Sequence, residues 1–444
     1  MTVQGQSTLR VLSLDAQGAR EALATLLATL RSGGLVASDE QQSLDVPSIV
    51  QGILKQVHEG GDAAAAALAG KLDRAQLDPR ALRVPLSEIE RAHRAAAPEF
   101  LALIRRVIRD IRAYQEHIRV RDPEPLVRGG RRLGVRYTPL DRVGVYVPGG
   151  RALYPSTVLM TVVPAQAAGV REIVMASPAT GGAVSDLALA LAGELGITEV
   201  LPLGGAVGIA AMAYGTESIR AVQKIVGPGN AFVAEAKRQL FGRVGIDSVA
   251  GPSEVVIVAD DSAKPAWVAA DLLAQAEHDP GAALLVTPSR ALADAVAREL
   301  DVQIGQLSRG ERTRSCIERY GAAVVTGSLD EACDLASDIA AEHLQIITRD
   351  DARCVARIRH AGAIFIGPYT PVPLGDYVAG PSHVLPTGGT AKFFGPLSVN
   401  DFLKASSLIE FDAASLAADS ADVERFATEE GLTAHAAAVA IRKR

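Results

Sequence analysis

The chain has 444 residues, 48% of them hydrophobic, which is enough for two or three compact domains with substantial cores. Its 45 basic against 51 acidic residues leave a net charge of -6 and no basic footprint for nucleic acid or an anionic membrane. Residues Met1–Asp15 carry one arginine and no apolar stretch of signal length, and Pro155, Ser156, Thr157, Thr161, Pro164 and Gln166 interrupt the uncharged run 152–170, so neither export nor a membrane span is supported.

In chain order, the first expected elements are helices. Apolar positions recur at three and four over 19–30, 49–72 and 89–118, and Ser87 with Glu90 fits a capping box opening the last. An Arg- and Gly-rich hinge, 126–141, precedes a change of texture. From Val143, β-branched runs alternate with helix-length spacers: 143–147, 172–176, 198–202 and 222–226, then 254–259, 282–286, 322–326, 344–348 and 363–366. Such runs predict buried parallel strands of an α/β fold, and about nine of them suggest two sheets. Ala250-Gly251-Pro252-Ser253 marks the joint, and the shared rhythm of the two halves hints at duplication without a residue-level repeat. Beyond Pro386 the chain turns Gly-rich, and from Asp401 it reads as a helical extension rather than a further sheet.

Three Gly-rich turns follow predicted strands. Gly227-Pro228-Gly229-Asn230-Ala231-Phe232 has Phe232 where a GxGxxG fingerprint needs its third glycine. Gly229 would still let a ligand approach the backbone, and Asn230 could cap the following helix, whose N-terminus attracts anions. Tyr146-Val147-Pro148-Gly149-Gly150 and Gly204-Gly205-Ala206 occupy equivalent strand ends, where open α/β sheets bind ligands. Together they favour a cofactor; each alone also reads as an ordinary turn.

Four histidines stand in polar clusters of the second half: Gln275-Ala276-Glu277-His278-Asp279, Ala341-Glu342-His343, Asp376 with Pro381-Ser382-His383, and Glu430 with His435. Gln275 and His278, three apart in an expected helix 265–278, share one face and could hold one ion or serve as a cap. Glu342-His343 closes an expected helix 329–342. Adjacent residues cannot share a helix face, so the two side chains suit two separate proton transfers, or His343 satisfies the last carbonyls. Asp376 falls in the Pro371–Pro386 segment, which has no regular pattern and the length of a functional loop. His435 sits in an alanine-rich helix. Cys316, Cys333 and Cys354, an odd number without zinc or CxxC spacing, are expected to be reduced thiols of a cytoplasmic protein. A metal, a carboxylate and an imidazole also suit a zinc hydrolase, and a structural ion in a ligand-binding protein is a third reading.

Taken in order, Val143-Gly-Val-Tyr146-Val-Pro-Gly-Gly150, Gly227-Pro-Gly-Asn230, Ala250-Gly-Pro-Ser253-Glu254, Gln275-Ala-Glu-His278, Glu342-His343-Leu344, Asp376-Tyr377, Gly380-Pro-Ser-His383 and Glu430-Gly-Leu-Thr-Ala-His435 closely resemble the histidinol dehydrogenases, from about residue 20 to the end. The resemblance implies a zinc-dependent oxidation of L-histidinol to L-histidine through the aldehyde, with two NAD⁺ reduced. By that resemblance Gln275, His278, Asp376 and His435 match metal ligands. Ser253, His383 and Glu430 match substrate contacts, with the ligands and His343 also lining the substrate. Glu342 and His343 match general bases, and Tyr146 and Asn230 positions near NAD. Val207 departs from the family, which commonly has Gln after Gly-Gly-Ala, and this calls one side-chain contact to NAD into question. The resemblance also implies a homodimer in which the tail crosses over, so that Glu430 and His435 complete the partner's site.

The expected architecture is therefore α/β, with two similar Rossmann-like, doubly wound sheets lacking the standard GxGxxG. A mainly helical region 1–140 packs on the first sheet, 141–252 and 253–388 form the two sheet domains, and 389–444 is a helical tail.

Overall fold

A computed structural model describes residues 7–31, 44–149, 155–278 and 280–443; Gly150, Asp279 and parts of the N-terminal segment and of the uncharged run 152–170 lie outside them. The sheets arise from short runs that are apolar on both faces: in Gly281–Thr287 every residue is buried, the pattern of a parallel strand covered by helices on each side.

Along the chain, β1 (Arg10–Ser13) precedes a hairpin of β2 (Leu126–Arg128) and β3 (Arg131–Pro139). Then β4 (Arg142–Tyr146), β5 (Glu172–Ala176), β6 (Glu199–Leu201), β7 (Lys224–Val226) and β8 (Gly245–Ile246) form one parallel sheet in the order β6-β5-β4-β7-β8. Next, β9 (Ser253–Ala259), β10 (Gly281–Thr287), β11 (Gly321–Val325), β12 (His343–Ile347) and β13 (Ala363–Ile366) repeat that order as β11-β10-β9-β12-β13, with β1 added parallel outside β11. The duplication hinted at by sequence rhythm is thus present as topology. Each sheet reverses direction between its first and fourth strands, and such a switch point opens a crevice.

Helices Val46–Leu72, Leu86–Ala95 and Pro98–Ile118 cover the first sheet, whereas β1 and the helix Ala19–Arg31 complete the second, burying Leu23, Leu26, Leu27 and Leu30 against it. The expected single helix 89–118 is two, because Pro98 forces the preceding residue out of the helical region: Ala97 has ψ 129°. The Ser87/Glu90 capping box does not form. Pro85, at φ -57° and ψ 138°, is the N-cap, and both polar residues already lie inside the helix.

The hinge 126–141 is a β-hairpin, and the tail is not purely helical. Strand β14 (Leu403–Phe411) pairs antiparallel with β3 from Leu403↔Pro139 to Phe411↔Arg131, making a three-stranded ribbon. Beyond it, helices Ala413–Glu429 and Thr433–Ala440 pack on each other, and the second has no buried residue. Leu126, Val127, Ile409, Phe411, Val423 and Phe426 of the ribbon and tail are exposed.

At the carboxyl end of the second sheet the loops after β9 and β12 are hydrogen-bonded to each other across the switch point. Asp260 donates its N–H to Ile347 O (3.3 Å), and its carboxylate accepts from Arg349 N (3.0 Å) and Ser262 N (2.9 Å). Among the described residues no helix is long and apolar enough to cross a membrane.

Candidate active site

Because β9 and β12 are parallel neighbours, their first residues, Ser253 and His343, begin at the same edge of the sheet. The helix before β12 ends earlier than expected, at Ile339. Ala340 then turns the chain with left-handed φ 55° and ψ 52°. That conformation costs a non-glycine residue about 1 kcal/mol and is held by complete burial. Glu342 and His343 therefore enter from a strained turn into a strand, not from a helix terminus.

Glu342 and His343 are both buried and lie together: His343 Nδ1 is 3.5 Å from Glu342 Oε2. The same Oε2 accepts from Ser253 Oγ and from Glu254 N (3.0 Å). His343 Nδ1 donates to the carbonyl of Glu254 at 3.3 Å, and His343 Nε2 faces Asp376 Oδ1 at 3.7 Å without a hydrogen bond. Burial opposes protonation of the ring, but the Glu342 and Asp376 carboxylates outweigh it and raise His343 to about 9. A cation on Asp376 would remove part of that attraction.

Asp376 lies in a short helix, Val372–Tyr377, where the sequence suggested an irregular loop. Burial would raise its pKa, but His343, with the charges of His383 and His278, holds it below the usual range. His383 is itself driven down by burial, against the attraction of Asp376. The stretch after Asp376 spans both halves: Ser382 Oγ donates to Met160 O (3.0 Å) in the helix Pro155–Ala168, and Gly388 N donates to the Glu254 carboxylate (2.9 Å).

Gln275 is buried in the last turn of helix Pro265–Ala276; His278 lies past the helix end, exposed, with its N–H and Nδ1 both 3.2 Å from Gln275 O. The pair is joined by a terminal turn rather than a shared helix face, because Glu277 caps the helix. The buried amide nitrogen of Gln275 has no hydrogen-bond partner. Rotating the amide puts an oxygen in that unsatisfied position; His278 and Asp376 offer the imidazole and carboxylate that zinc commonly takes, and the Gln275 amide oxygen is an infrequent donor. Among the described residues no three His, Cys, Asp or Glu groups gather into a metal-binding cluster. His435 and Glu430 are exposed on the tail.

Tyr146 and Asn230 lie elsewhere, at the carboxyl end of the first sheet, beside its switch point between β4 and β7. Tyr146 is buried, accepts from Gly205 N (2.9 Å), and is pushed up to about 12 by burial. Asn230 caps its helix, accepting from Phe232 N (3.1 Å) and Val233 N (3.2 Å). Val207 is buried in the apolar core of that half. Sequence reasoning missed what fixes the Gly227-Pro228-Gly229 turn. Gly227 has φ 119°, and a Cβ there would lie 2.2 Å from Tyr146 O. Buried Lys237 pairs with buried Asp247; Lys237 Nζ donates to Gly227 O (3.0 Å), and Asp247 accepts from Gly227 N (2.7 Å). Both polar groups of one glycine are thus gripped by one ion pair. Asp247→Ala strands the Lys237 charge, and we expect a loss of about 3–5 kcal/mol in urea unfolding; an unchanged midpoint would show that the pair contributes nothing.

The profile of the histidinol dehydrogenase family matches residues 36–443. The histidinol dehydrogenase of Rhodopirellula baltica is 49% identical over 402 residues, 90% of this chain and 87% of that protein. That of Halalkalibacterium halodurans is 49% identical over 395 residues, 88% and 93% of the two chains. The crystal structure of histidinol dehydrogenase from Elizabethkingia anophelis superposes with a TM-score of 0.90 at 28% identity, covering 99% of each chain. With sequence and three-dimensional likeness both running almost end to end, this chain belongs to the histidinol dehydrogenase family of oxidoreductases.

Proposed function

We propose that the protein catalyses the zinc-dependent, NAD-linked, four-electron oxidation of L-histidinol to L-histidine via L-histidinaldehyde, the final step of histidine biosynthesis, in the cytoplasm. The observation that carries this reading is the buried Ser253–Glu342–His343 network facing Asp376: a carboxylate and an imidazole held side by side for two proton transfers.

Gln275, His278 and Asp376 of one subunit, with His435 of a second copy, would hold zinc, which when bound supplies a Lewis-acidic anchor orienting the substrate. Tyr146 and Asn230 would lie near NAD⁺, which when bound would supply the hydride acceptor for each oxidation. His343 takes the hydroxyl proton of histidinol through Nε2. Glu342 then takes a proton from the attacking water while protonated His343 returns its proton to the aldehyde oxygen, giving the hydrate and freeing Nε2 to accept the hydrate's hydroxyl proton in the second oxidation. Ser253, His383 and Glu430 hold the substrate.

No thiol is required. Cys316, Cys333 and Cys354 are buried, and Cys316 Sγ donates to Gly281 O at 2.8 Å. The exposed apolar residues of the ribbon and tail support a second copy of this chain as their partner, in a homodimer whose tails exchange.

Incubation with zinc, NAD⁺ and L-histidinol should give about two NADH per histidine; hydrolytic turnover without NAD⁺ would replace this reading with a zinc hydrolase. In Glu342→Gln we expect oxidation of the aldehyde to fall by about 10²-fold or more and oxidation of the alcohol by much less. Equal losses in the two half-reactions, assayed separately, would remove the water-activating role from Glu342.

A further inference from the structure

Glu254 follows Ser253 in β9, is 3% exposed, and is bonded to the catalytic pair through its peptide group as well as its side chain. Its N–H donates to Glu342 Oε2 (3.0 Å), and its carbonyl accepts from His343 Nδ1 (3.3 Å). Its carboxylate accepts in turn from the N–H of Glu342 (3.3 Å) and of Gly388 (2.9 Å). Residues 254 and 342, on adjoining strands, therefore exchange side-chain-to-backbone bonds in both directions, and the same carboxylate pins the loop that follows His383.

Two consequences follow from donor and acceptor identity. A carbonyl only accepts, so the proton of the neutral His343 ring sits on Nδ1 and the free lone pair on Nε2. Ser253 Oγ and Glu254 N both donate to Oε2 of Glu342, so its other oxygen, Oε1, is the one left to receive a proton.

We propose that Glu254 is a positioning residue of the reaction, selecting His343 Nε2 and Glu342 Oε1 as the proton-accepting atoms by holding the backbone and the opposite atoms of both groups. The inference rests on the proposed dehydrogenase reading and adds to it a residue that touches neither substrate nor cofactor. Burial and the Glu342 charge raise Glu254 to about 7 against the pull of the Gly388 and Glu342 N–H groups, which its oxygen accepts from in either protonation state.

The test compares Glu254→Gln and Glu254→Ala in the zinc-loaded enzyme, in both half-reactions. Glutamine keeps the accepting oxygen. It should retain kcat within about threefold, whereas alanine should lose about 30-fold or more in kcat with KM for histidinol changed less than about threefold. Equal kcat values for the two variants, or a loss carried mainly by KM, would overturn the positioning role. Should the alanine variant not fold, ¹⁵N-histidine NMR of the wild-type zinc enzyme decides, because a neutral His343 protonated on Nε2 would refute the atom assignment and one protonated on Nδ1 supports it. A wild-type enzyme inactive on histidinol would instead sink the dehydrogenase reading, leaving the NMR result to judge the geometry alone.

Discussion

His343→Asn is expected to lower kcat for histidinol oxidation by about 10³-fold, near the middle of the range general-base catalysis supplies. His343 is the base proposed for both oxidations, so the loss should appear in the alcohol and the aldehyde half-reactions alike. That separates it from Glu342→Gln, which should affect the second far more than the first. The ring's Nδ1 donates to the Glu254 carbonyl and faces the Glu342 carboxylate, and the asparagine amide, itself a donor, replaces part of that contact. Zinc content should stay close to wild type, and the thermal midpoint separates a folding loss from a catalytic one. A His343→Asn enzyme retaining more than about a tenth of wild-type kcat would mean that another group takes the protons.

The second large effect is restoration rather than loss. His435→Asn should be as inactive as His343→Asn, since it removes a proposed ligand, although His435 sits on an exposed helix away from the buried network. Dissociating and reassociating the two inactive variants together yields mixed dimers. In each of these, one site combines an intact His343 with the partner's intact His435, and the other carries both defects. Random reassortment makes about half the dimers mixed, with one good site of two, so about a quarter of wild-type activity should return. No recovery, with mixed dimers demonstrated by mass, would place His435 in its own subunit's site or outside any site.

Much of the fold was legible in the sequence because parallel strands between covering helices are apolar throughout; Glu172–Ala176 was read to the residue, as was the edge strand Ala363–Ile366, which is apolar although Ile364 and Ile366 are exposed. What escaped reading depended on distant partners. Strand β1 has four residues and exists by pairing with β11, more than three hundred residues later. Strand β14 is mostly exposed on both sides, so it lacks the alternation that marks a half-buried strand. The helix ends at Ile339 and Ala276 were misplaced because alanine-rich turns continue a helical pattern that the backbone abandons, at Ala340 by adopting positive φ. For the site, Glu-His and Gln-x-x-His were visible as chemistry, and the structure brings His343, Asp376, His383 and His278 into one electrostatic neighbourhood. Glu254 stood inside a quoted motif but drew no attention, since its part is played through the N–H of Gly388, 134 residues away.

The hydrogen bonds of Asp260 to Ile347 and Arg349 tie together the loops at the carboxyl edge of the second sheet. On the proposed reading the first half would offer the usual mouth of its fold to the cofactor, while its copy would do its chemistry at the opposite rim. The turns around Asp261, Ser289, Gly327 and Asp350 would then carry no catalytic duty. They would be the places where the chain can lengthen, acquire labels or drift in sequence while turnover continues.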